Sequence, residues 1–339
     1  MDQIDVIAPN LKRRLSGVTA TIVRLVPVQA RMIGIVTTGP GLPASLPHVG
    51  LWRLRFLPRR LRVWHARRNT EMLLGLVLRA TGMPLKLLFT SASQRRHTGY
   101  TKWLISQMDD VVSTSAKTAG YLERPSHVIH HGIDTEGFSP PADRAALRAR
   151  LGLPEGVLVG CYGRIRAQKG TDAFVEAMIA LLPARPGVTA LVMGRATEGQ
   201  GEFLAGLKAK VAAAGLAERI LFPPEVTVDA MADWYRVLDL YVAPQRWEGF
   251  GLTPLEAMAC AVPVVATRVG AFEEIVTPET GALVAPGDIP ALAAACAPFL
   301  DDAGRRAAAA AAARARVEAQ FRIEDEAAAL VRIYRALLA

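Results

Sequence analysis

Two short stretches of the sequence combine glycines with charged side chains where a predicted strand ends and a predicted helix begins. The first, residues 163–172, reads GRIRAQKGTD and places Arg164 and Lys169 between two glycines. Two cations beside the free amides of a helix N-terminus are typical of a pyrophosphate site, because the cations neutralise charge and the amides point outward. A structural interpretation stays open, in which Thr171 or Asp172 caps the helix and the cations are solvated.

The second stretch, residues 248–256, reads EGFGLTPLE and contains two glutamates separated by seven residues. A capping box explains Glu256 without any ligand, with Thr253 as N-cap and Pro254 as the first helical residue. Glu248 has no such explanation, because it precedes a glycine-rich turn whose bare backbone lets a ligand approach the loop. A carboxylate there can accept hydrogen bonds from hydroxyls, while the following amides hold an anionic group. Together the two stretches indicate a nucleotide-sugar site.

Short apolar strands alternate with helical stretches along the chain, and this alternation positions both loops. A strand at 157–162 precedes the first loop, and a strand at 240–243 precedes the second. The pattern predicts parallel sheets with helices on both faces, in two doubly wound α/β domains. A cluster of turn residues, GID followed by SPP, predicts the junction. We therefore expect one domain over residues 1–140 and another over 141–320, with a C-terminal helix over 321–339 that packs back on the first.

Composition excludes several classes of protein. The 339 residues are 51% hydrophobic and 21% charged, far from the composition of a disordered chain. The longest stretch without charge, residues 32–52, holds four glycines and three prolines, which argues against a membrane-spanning helix. The acidic start predicts no export signal. The three cysteines form no CxxC pair, so we expect buried thiols in a reducing cytoplasm and no zinc site.

Charge is divided unevenly along the chain. Residues 1–150 hold 22 Lys and Arg against 9 Asp and Glu, a balance of +13, whereas residues 151–339 hold 18 against 22, a balance of −4. A basic half attracts nucleic acid, an anionic membrane or an acidic substrate, and charge alone does not choose among them. Leu51, Trp52 and Phe56 are interleaved with arginines, a pattern that suits an anionic lipid surface at least as well as nucleic acid.

The two loops resemble those of retaining glycosyltransferases of family 4. Glu248 and Glu256 match the E-x7-E element of these enzymes, and the glycines and cations of residues 163–170 match their phosphate-binding turn. VIHHGID at 128–134 resembles their V-I-x-N-G-I-D segment, and the first half, including residues 63–69, is similar to mannosyltransferases of lipopolysaccharide core assembly. The resemblance implies the GT-B fold: two Rossmann-like, doubly wound α/β domains facing across a cleft, with C-terminal helices.

The resemblance also implies roles for individual residues. Arg164 and Lys169 would bind the donor pyrophosphate and stabilise the departing diphosphate, and Glu248 would face the sugar ring, so these three are the expected catalytic contacts. Glu256 would hydrogen-bond the ribose hydroxyls. Donor contacts are implied for Gly17, Gly163, Arg164, Lys169, Glu248, Gly249, Phe250, Gly251, Leu252 and Glu256.

On the acceptor side the chain departs from the family's pattern. Many members carry a histidine where this chain has Ser91, and we expect His65, Arg67 and His97 to contact the acceptor. The alternatives stay open that His97 is a solvated surface histidine and that His65 is an ordinary residue at the end of a strand. The resemblance implies GDP-mannose as donor and an anionic, Kdo-bearing glycolipid of the lipopolysaccharide inner core as acceptor. The protein would then work in the cytoplasm, peripherally on the acidic inner face of the inner membrane. No cofactor or metal is expected, since the chain has no D-x-D pair.

Two other functions stay open on the sequence alone. A nucleotide-sugar 2-epimerase shares the same fold and needs no acceptor, although the similarity of the N-terminal half argues against it. A non-enzymatic basic protein that binds nucleic acid or membrane is suggested by the arginines at 53–62. The basic segment has no aromatic stacking motif, so we expect no nucleic-acid partner.

Overall fold

The structure is a computed structural model, and it describes residues 4–13, 17–197 and 199–339. Contacts divide the chain into two units: unit 1 comprises Met1–Gly132 and Ile323–Ala339, and unit 2 comprises Ile133–Arg322. The chain passes into unit 2 after Gly132, earlier than the expected boundary at residue 140. Its last helix lies in unit 1, so that unit is assembled from two separated segments of sequence.

Unit 1 is built on one sheet. Its strands are β1 (Val6–Pro9), β2 (Ile35–Thr38), β3 (Arg62–Ala66), β4 (Leu85–Ser91), β5 (Asp110–Ser113) and β6 (His127–Val128). All six are parallel, in the order β2-β1-β3-β4-β5-β6. Its helices are α1 (Gly17–Gln29), α2 (Asn69–Ala80), α3 (Gly99–Ser106), α4 (Ala116–Ala119) and the C-terminal helix (Ile323–Leu338), with a 3-10 helix at Leu51–Phe56.

Helices cover both faces of this sheet. Strands β1 and β3 are buried along their whole length, as expected for parallel strands between two helical layers. On one face Val6 packs in a cluster with Ile22 of α1 and Tyr334 of the C-terminal helix. On the other face Trp64 packs in a cluster with Leu104 of α3. The alternation of buried side chains between these two clusters follows from the two-residue period of a strand.

Unit 2 repeats the plan with a second sheet. Its strands are β7 (Val157–Tyr162), β8 (Val188–Met193), β9 (Ile220–Leu221), β10 (Leu240–Ala243), β11 (Val264–Thr267) and β12 (Gly281–Val284). They are parallel, in the order β12-β11-β10-β7-β8-β9. Its helices are α5 (Arg144–Arg150), α6 (Thr171–Leu181), α7 (Gly201–Ala213), α8 (Met231–Arg236), α9 (Thr253–Ala259), α10 (Phe272–Ile275), α11 (Ile289–Asp301) and α12 (Ala303–Gln320), with 3-10 helices at Ala167–Lys169, Leu182–Ala184 and Val228–Ala230.

The strand order locates the ligand crevice of each unit. In unit 2 the chain builds outward from β7 in one direction and then returns to place β10 on its other side, which is the doubly wound Rossmann order. The reversal lies between β7 and β10. In unit 1 the corresponding reversal lies between β1 and β3. Open α/β sheets bind ligands beyond the carboxyl ends of the strands at such a switch point.

The three cysteines are buried and free. Burial raises the pKa of each thiol to about 12, so all three stay protonated at neutral pH. The expectation of buried thiols is confirmed. Within the described ranges, no helix is both long enough and apolar enough to cross a membrane.

Candidate functional site

Two loops leave the switch point of unit 2 side by side. The Lys169 loop (residues 163–170) follows β7, and the Glu248 loop (residues 244–252) follows β10. These strands are hydrogen-bonded neighbours, with Leu240 opposite Val159 and Tyr241 opposite Gly160. Because parallel neighbours end at the same edge of a sheet, the two predicted stretches meet there.

Lys169 and Glu248 form an ion pair between the loops. The Lys169 Nζ donates a hydrogen bond to Glu248 Oε2, and Glu248 Oε1 accepts one from the backbone N–H of Gly249 at 3.0 Å. The side chains are only 22% and 18% exposed, so water screens the pair less than it would at an open surface. The residue expected to bind phosphate, Lys169, and the residue expected to face the sugar, Glu248, therefore bind each other.

Arg246 ties the Glu248 loop to the start of α6. Its guanidinium donates to both carboxylate oxygens of Asp172, at 2.7 and 2.8 Å, and also to the carbonyl of Ala167. Its backbone N–H donates to the Gln168 carbonyl at 3.0 Å. The hydrogen bonds that Asp172 accepts raise the pKa of Arg246 above its ordinary value. The interpretation of Asp172 as a helix cap is wrong, because α6 begins after Gly170 and has no side-chain cap.

Two glycines allow the loops to approach the rest of unit 2. Gly170 has φ +70°, and a Cβ there would lie 1.9 Å from the carbonyl oxygen of Pro244. Gly251 has φ +89°, and a Cβ would lie 2.2 Å from the ring of Phe272 and 2.9 Å from the Glu248 side chain. The sequence analysis assigned the bare backbone of the turn after Glu248 to ligand approach. In the structure Gly170 and Gly251 accommodate neighbouring residues of the protein itself.

Glu256 is held by a tyrosine of helix α8. Helix α9 begins at Thr253 after Leu252 as N-cap, with no side-chain cap, so the predicted capping box is absent. Instead the Tyr235 hydroxyl donates to Glu256 Oε2 at 2.7 Å. Burial raises the pKa of Tyr235 well above its ordinary value, and the charge of Glu256 adds to the effect, so the phenol remains a donor. The carboxylate thus has a fixed position that the capping box did not predict.

The other predicted donor residues of unit 2 lie around this edge. Gly163, with φ +137°, and Arg164 are exposed directly after β7. In the Glu248 loop Phe250 is buried, whereas Gly249 and Leu252 are half-buried. In the described part of the chain, no three His, Cys, Asp or Glu side chains are grouped so that they could hold a metal ion. This edge of the sheet therefore carries the predicted cations Arg164 and Lys169 together with the predicted carboxylates Glu248 and Glu256.

In unit 1 the structure places His65 away from solvent. Its ring is fully buried, with Nδ1 2.7 Å from the Tyr334 hydroxyl and Nε2 2.6 Å from the Thr90 hydroxyl. Burial, with Arg67 nearby, lowers the pKa of His65 well below its ordinary value, so the ring is neutral at pH 7. Tyr334 of the C-terminal helix lies against the ring, so His65 offers no exposed surface to an acceptor, and the expected contact stays a prediction.

The remaining unit 1 residues are more accessible. Arg67 is half-buried and donates to the His65 carbonyl at 3.2 Å. His97 is half-buried beside a cavity of about 330 Å³ that Trp103 also lines, and its Nε2 has no hydrogen-bond partner among the described residues. Burial and the nearby cations lower the pKa of His97. Gly17 is the exposed first residue of α1, where a Cβ would meet nothing within 4 Å; residues 14–16 lie outside the described ranges.

A polar network at the unit 1 switch point was not predicted. Arg68, which follows β3, donates to the Asn10 side-chain oxygen at 2.9 Å and to the Thr19 hydroxyl at 3.0 Å, and it pairs with Glu71 at 2.7 Å. Asn10 follows β1 and is fully buried. The signal was present in the sequence as polar residues directly after two apolar strands. What the sequence did not indicate is that β1 and β3 are neighbours.

Comparison with protein families gives one match over the site. The family model of group 1 glycosyl transferases matches residues 156–302, which include both loops. The lipopolysaccharide core biosynthesis mannosyltransferase LpsB of Rhizobium meliloti is 56% identical, over 99% of this chain and 98% of that protein. The lipopolysaccharide core biosynthesis mannosyltransferase LpcC of Rhizobium leguminosarum is 54% identical, over 99% and 97%.

Solved structures agree with the two-unit architecture. Anabaena HepE in complex with UDP superposes with a TM-score of 0.86 at 18% identity, over 98% of this chain and all of that one. The sucrose-phosphate synthase of Thermosynechococcus elongatus gives 0.81 at 22% identity, over 99% of each chain. A C-terminal domain of a group 1 glycosyltransferase, LpcC of Francisella tularensis, is 36% identical over 57% of this chain and all of its own, with a TM-score of 0.55. The predicted fold of two Rossmann-like domains is confirmed.

Proposed function

The chain belongs to the family of group 1 glycosyltransferases, and we propose that it transfers mannose from GDP-mannose to an anionic glycolipid of the lipopolysaccharide inner core. One observation carries the proposal: the two rhizobial relatives named as mannosyltransferases of lipopolysaccharide core biosynthesis match almost the whole length of the chain. Substrate choice depends on both halves of a transferase. A match confined to unit 2 would support a nucleotide-sugar site and nothing about the acceptor.

The donor is proposed to bind at the Lys169 and Glu248 loops. Arg164 and Lys169 take the diphosphate, Glu248 takes hydroxyls of the sugar, and Glu256 takes hydroxyls of the ribose. Backbone amides of the Glu248 loop approach the donor. HepE has been solved with UDP and with UDP-glucose, which supports a nucleotide-sugar site on this fold.

The proposed reaction retains the configuration of the sugar. The acceptor hydroxyl attacks the anomeric carbon on the face from which the diphosphate departs. A bond forms between the acceptor oxygen and that carbon, the bond from the carbon to the diphosphate oxygen breaks, and the acceptor proton passes to the leaving oxygen. No protein base is needed, so the contribution of Arg164 and Lys169 is to position the donor and stabilise charge on the leaving group. We propose that no metal takes part.

The acceptor is proposed to reach unit 1 from an acidic membrane surface, with Arg67 and His97 among its contacts. The 3-10 helix Leu51–Phe56 supports docking, since Trp52 and Phe56 are 64% and 65% exposed. Arg53 lies 5.1 Å from the Trp52 ring centre and Arg55 lies 4.6 Å from that of Phe56. Aromatic rings flanked by cations suit the boundary between lipid headgroups and acyl chains.

The test is transfer from a panel of GDP- and UDP-sugars, with chelator present, with and without a Kdo-bearing lipid acceptor. We expect acceptor-dependent GDP release from GDP-mannose. Glu248→Ala should lose at least tenfold in kcat/KM, because contacts at the reacting sugar act in the transition state. Glu202→Ala, an exposed glutamate on α7, is the matched control. Wild-type rates in Glu248→Ala would contradict the site, and isomerised sugar formed without acceptor would favour a 2-epimerase.

Membrane docking is tested by flotation with acidic liposomes. Wild-type protein should float at low salt and be released at high salt, since the Debye length shortens from about 10 Å at 0.1 M to about 3 Å at 1 M. The double variant Trp52→Ala, Phe56→Ala should stay at the bottom of the gradient at both salt concentrations. Val228→Ser, which changes an exposed apolar residue of unit 2, is the control. Flotation that is indifferent to salt would contradict electrostatic docking.

A further inference from the structure

The ion pair between Lys169 and Glu248 imposes a condition on any ligand of both residues. A diphosphate attracts the Lys169 amine, which is already neutralised by the Glu248 carboxylate. When the amine turns to a phosphate, Glu248 keeps the N–H of Gly249 but loses its cation. A partly buried carboxylate without a cation is unfavourable, so binding through the phosphates alone carries a penalty.

We propose that this pair selects the complete nucleotide sugar over the free nucleoside diphosphate. The inference rests on the proposed function. Hydroxyls of the transferred sugar donate hydrogen bonds to Glu248 and replace the interaction that Lys169 withdraws, whereas a free nucleoside diphosphate has no sugar beyond its terminal phosphate. The complete donor therefore gives both Lys169 and Glu248 a new partner, whereas the nucleoside diphosphate left after transfer gives a new partner to Lys169 alone. The same arrangement weakens product binding once the sugar has left.

Packing keeps Glu248 from avoiding this penalty by moving into solvent. A Cβ added at Gly251 would lie 2.9 Å from Glu248 Cγ, and one added at Gly270 would lie 3.1 Å from Glu248 Cβ. The stem of the side chain is thus enclosed by two backbone segments. The Arg246–Asp172 bridge also holds the Glu248 loop against the start of α6. The carboxylate must find its new partner where it stands, at the sugar end of the donor.

The inference is tested by calorimetric titration, which measures the affinity for GDP and for GDP-mannose in the absence of acceptor. Four proteins are compared: wild type, Glu248→Gln, Lys169→Met and the double variant. Glu248→Gln keeps the shape of the side chain and removes its charge. We expect this variant to bind GDP about tenfold more tightly than wild type, which is about 1.4 kcal/mol. GDP-mannose should gain less or lose affinity, so the preference for the complete donor shrinks. The double variant should bind GDP with the same affinity as Lys169→Met alone.

The outcomes separate the inference from the function on which it rests. Equal GDP affinity in wild type and Glu248→Gln would overturn the inference while leaving the donor site in place. An equal gain from Glu248→Gln in the Lys169→Met background would also overturn it, because general repulsion between Glu248 and phosphate would then explain the effect. Wild-type protein that binds neither ligand, nor UDP or UDP-sugars in parallel, would refute the nucleotide-sugar site itself. Thermal unfolding of all four proteins confirms that each is folded.

Discussion

Replacing Asp172 with asparagine removes the negative charge to which both terminal nitrogens of Arg246 donate hydrogen bonds. The bridge consists of two charge-assisted hydrogen bonds of 2.7 and 2.8 Å, and such bonds contribute about 1.5–3 kcal/mol when partly buried. The Arg246 side chain is 35% exposed, so we take the lower end, about 1.5 kcal/mol. If that energy holds the Glu248 loop in register with Lys169, its loss lowers kcat/KM for transfer about tenfold.

The assay is steady-state transfer by Asp172→Asn, Arg246→Ala and the double variant, with thermal unfolding measured in parallel. Because both changes break one bridge, the double variant should be no slower than Arg246→Ala. Asp301→Asn is the matched control, since Arg185 also donates to both oxygens of Asp301, at 2.7 Å each, away from the two loops. Transfer by Arg246→Ala within twofold of wild type would refute the positioning role. So would an equal loss of transfer in Asp301→Asn.

Two further predictions concern backbone space and pH. Gly170→Ala should abolish transfer and lower the melting temperature, because the added Cβ would collide with the Pro244 carbonyl. The control is Gly206→Ala, in open space within α7, which should stabilise the protein by about 0.5–1 kcal/mol. An active and stable Gly170→Ala variant would contradict the packing. Burial disfavours the charged form of Glu326, but His131 and a backbone amide outweigh the effect of burial and lower the Glu326 pKa. This carboxylate therefore stabilises the fold above about pH 4.5, and the stabilisation is lost as the pH falls further. The difference in melting temperature between wild type and Glu326→Gln should therefore be largest at pH 7 and shrink below pH 4.5, and a constant difference would refute the assignment.

Local patterns were sufficient to predict both loops, but not their contacts. Gly163 and Gly170 each have positive φ, a requirement visible in the sequence because it concerns one residue at a time. The pairing of Lys169 with Glu248 joins residues 79 positions apart and depends on β10 lying beside β7. Arg246 belongs to no motif, and only its opposite charge to Asp172 could have drawn attention to it. Fold class followed from periodicity, whereas the partners within the site followed from topology.

Two places where the structure departs from local expectation have the same physical origin. His65 ends a strand, which favours exposure, yet a hydroxyl 269 positions further along the chain covers it. The capping box predicted around Glu256 is absent, and the Tyr235 hydroxyl, 21 positions earlier in the chain, binds this carboxylate instead. In both cases a partner outside the local segment overrode a sound local tendency.

The return of the chain to unit 1 has a consequence for biosynthesis. A nascent polypeptide leaves the ribosome from its N-terminus, and domains commonly fold as they emerge. The sheet of unit 1 emerges early, but the C-terminal helix that covers Val6, His65 and Leu88 is translated only after all of unit 2. Until then α1 covers only part of that apolar face, and the part beneath the C-terminal helix stays exposed. Unit 2 is continuous in sequence and can complete its core first, so the half of the protein that is made second is free to finish folding before the first.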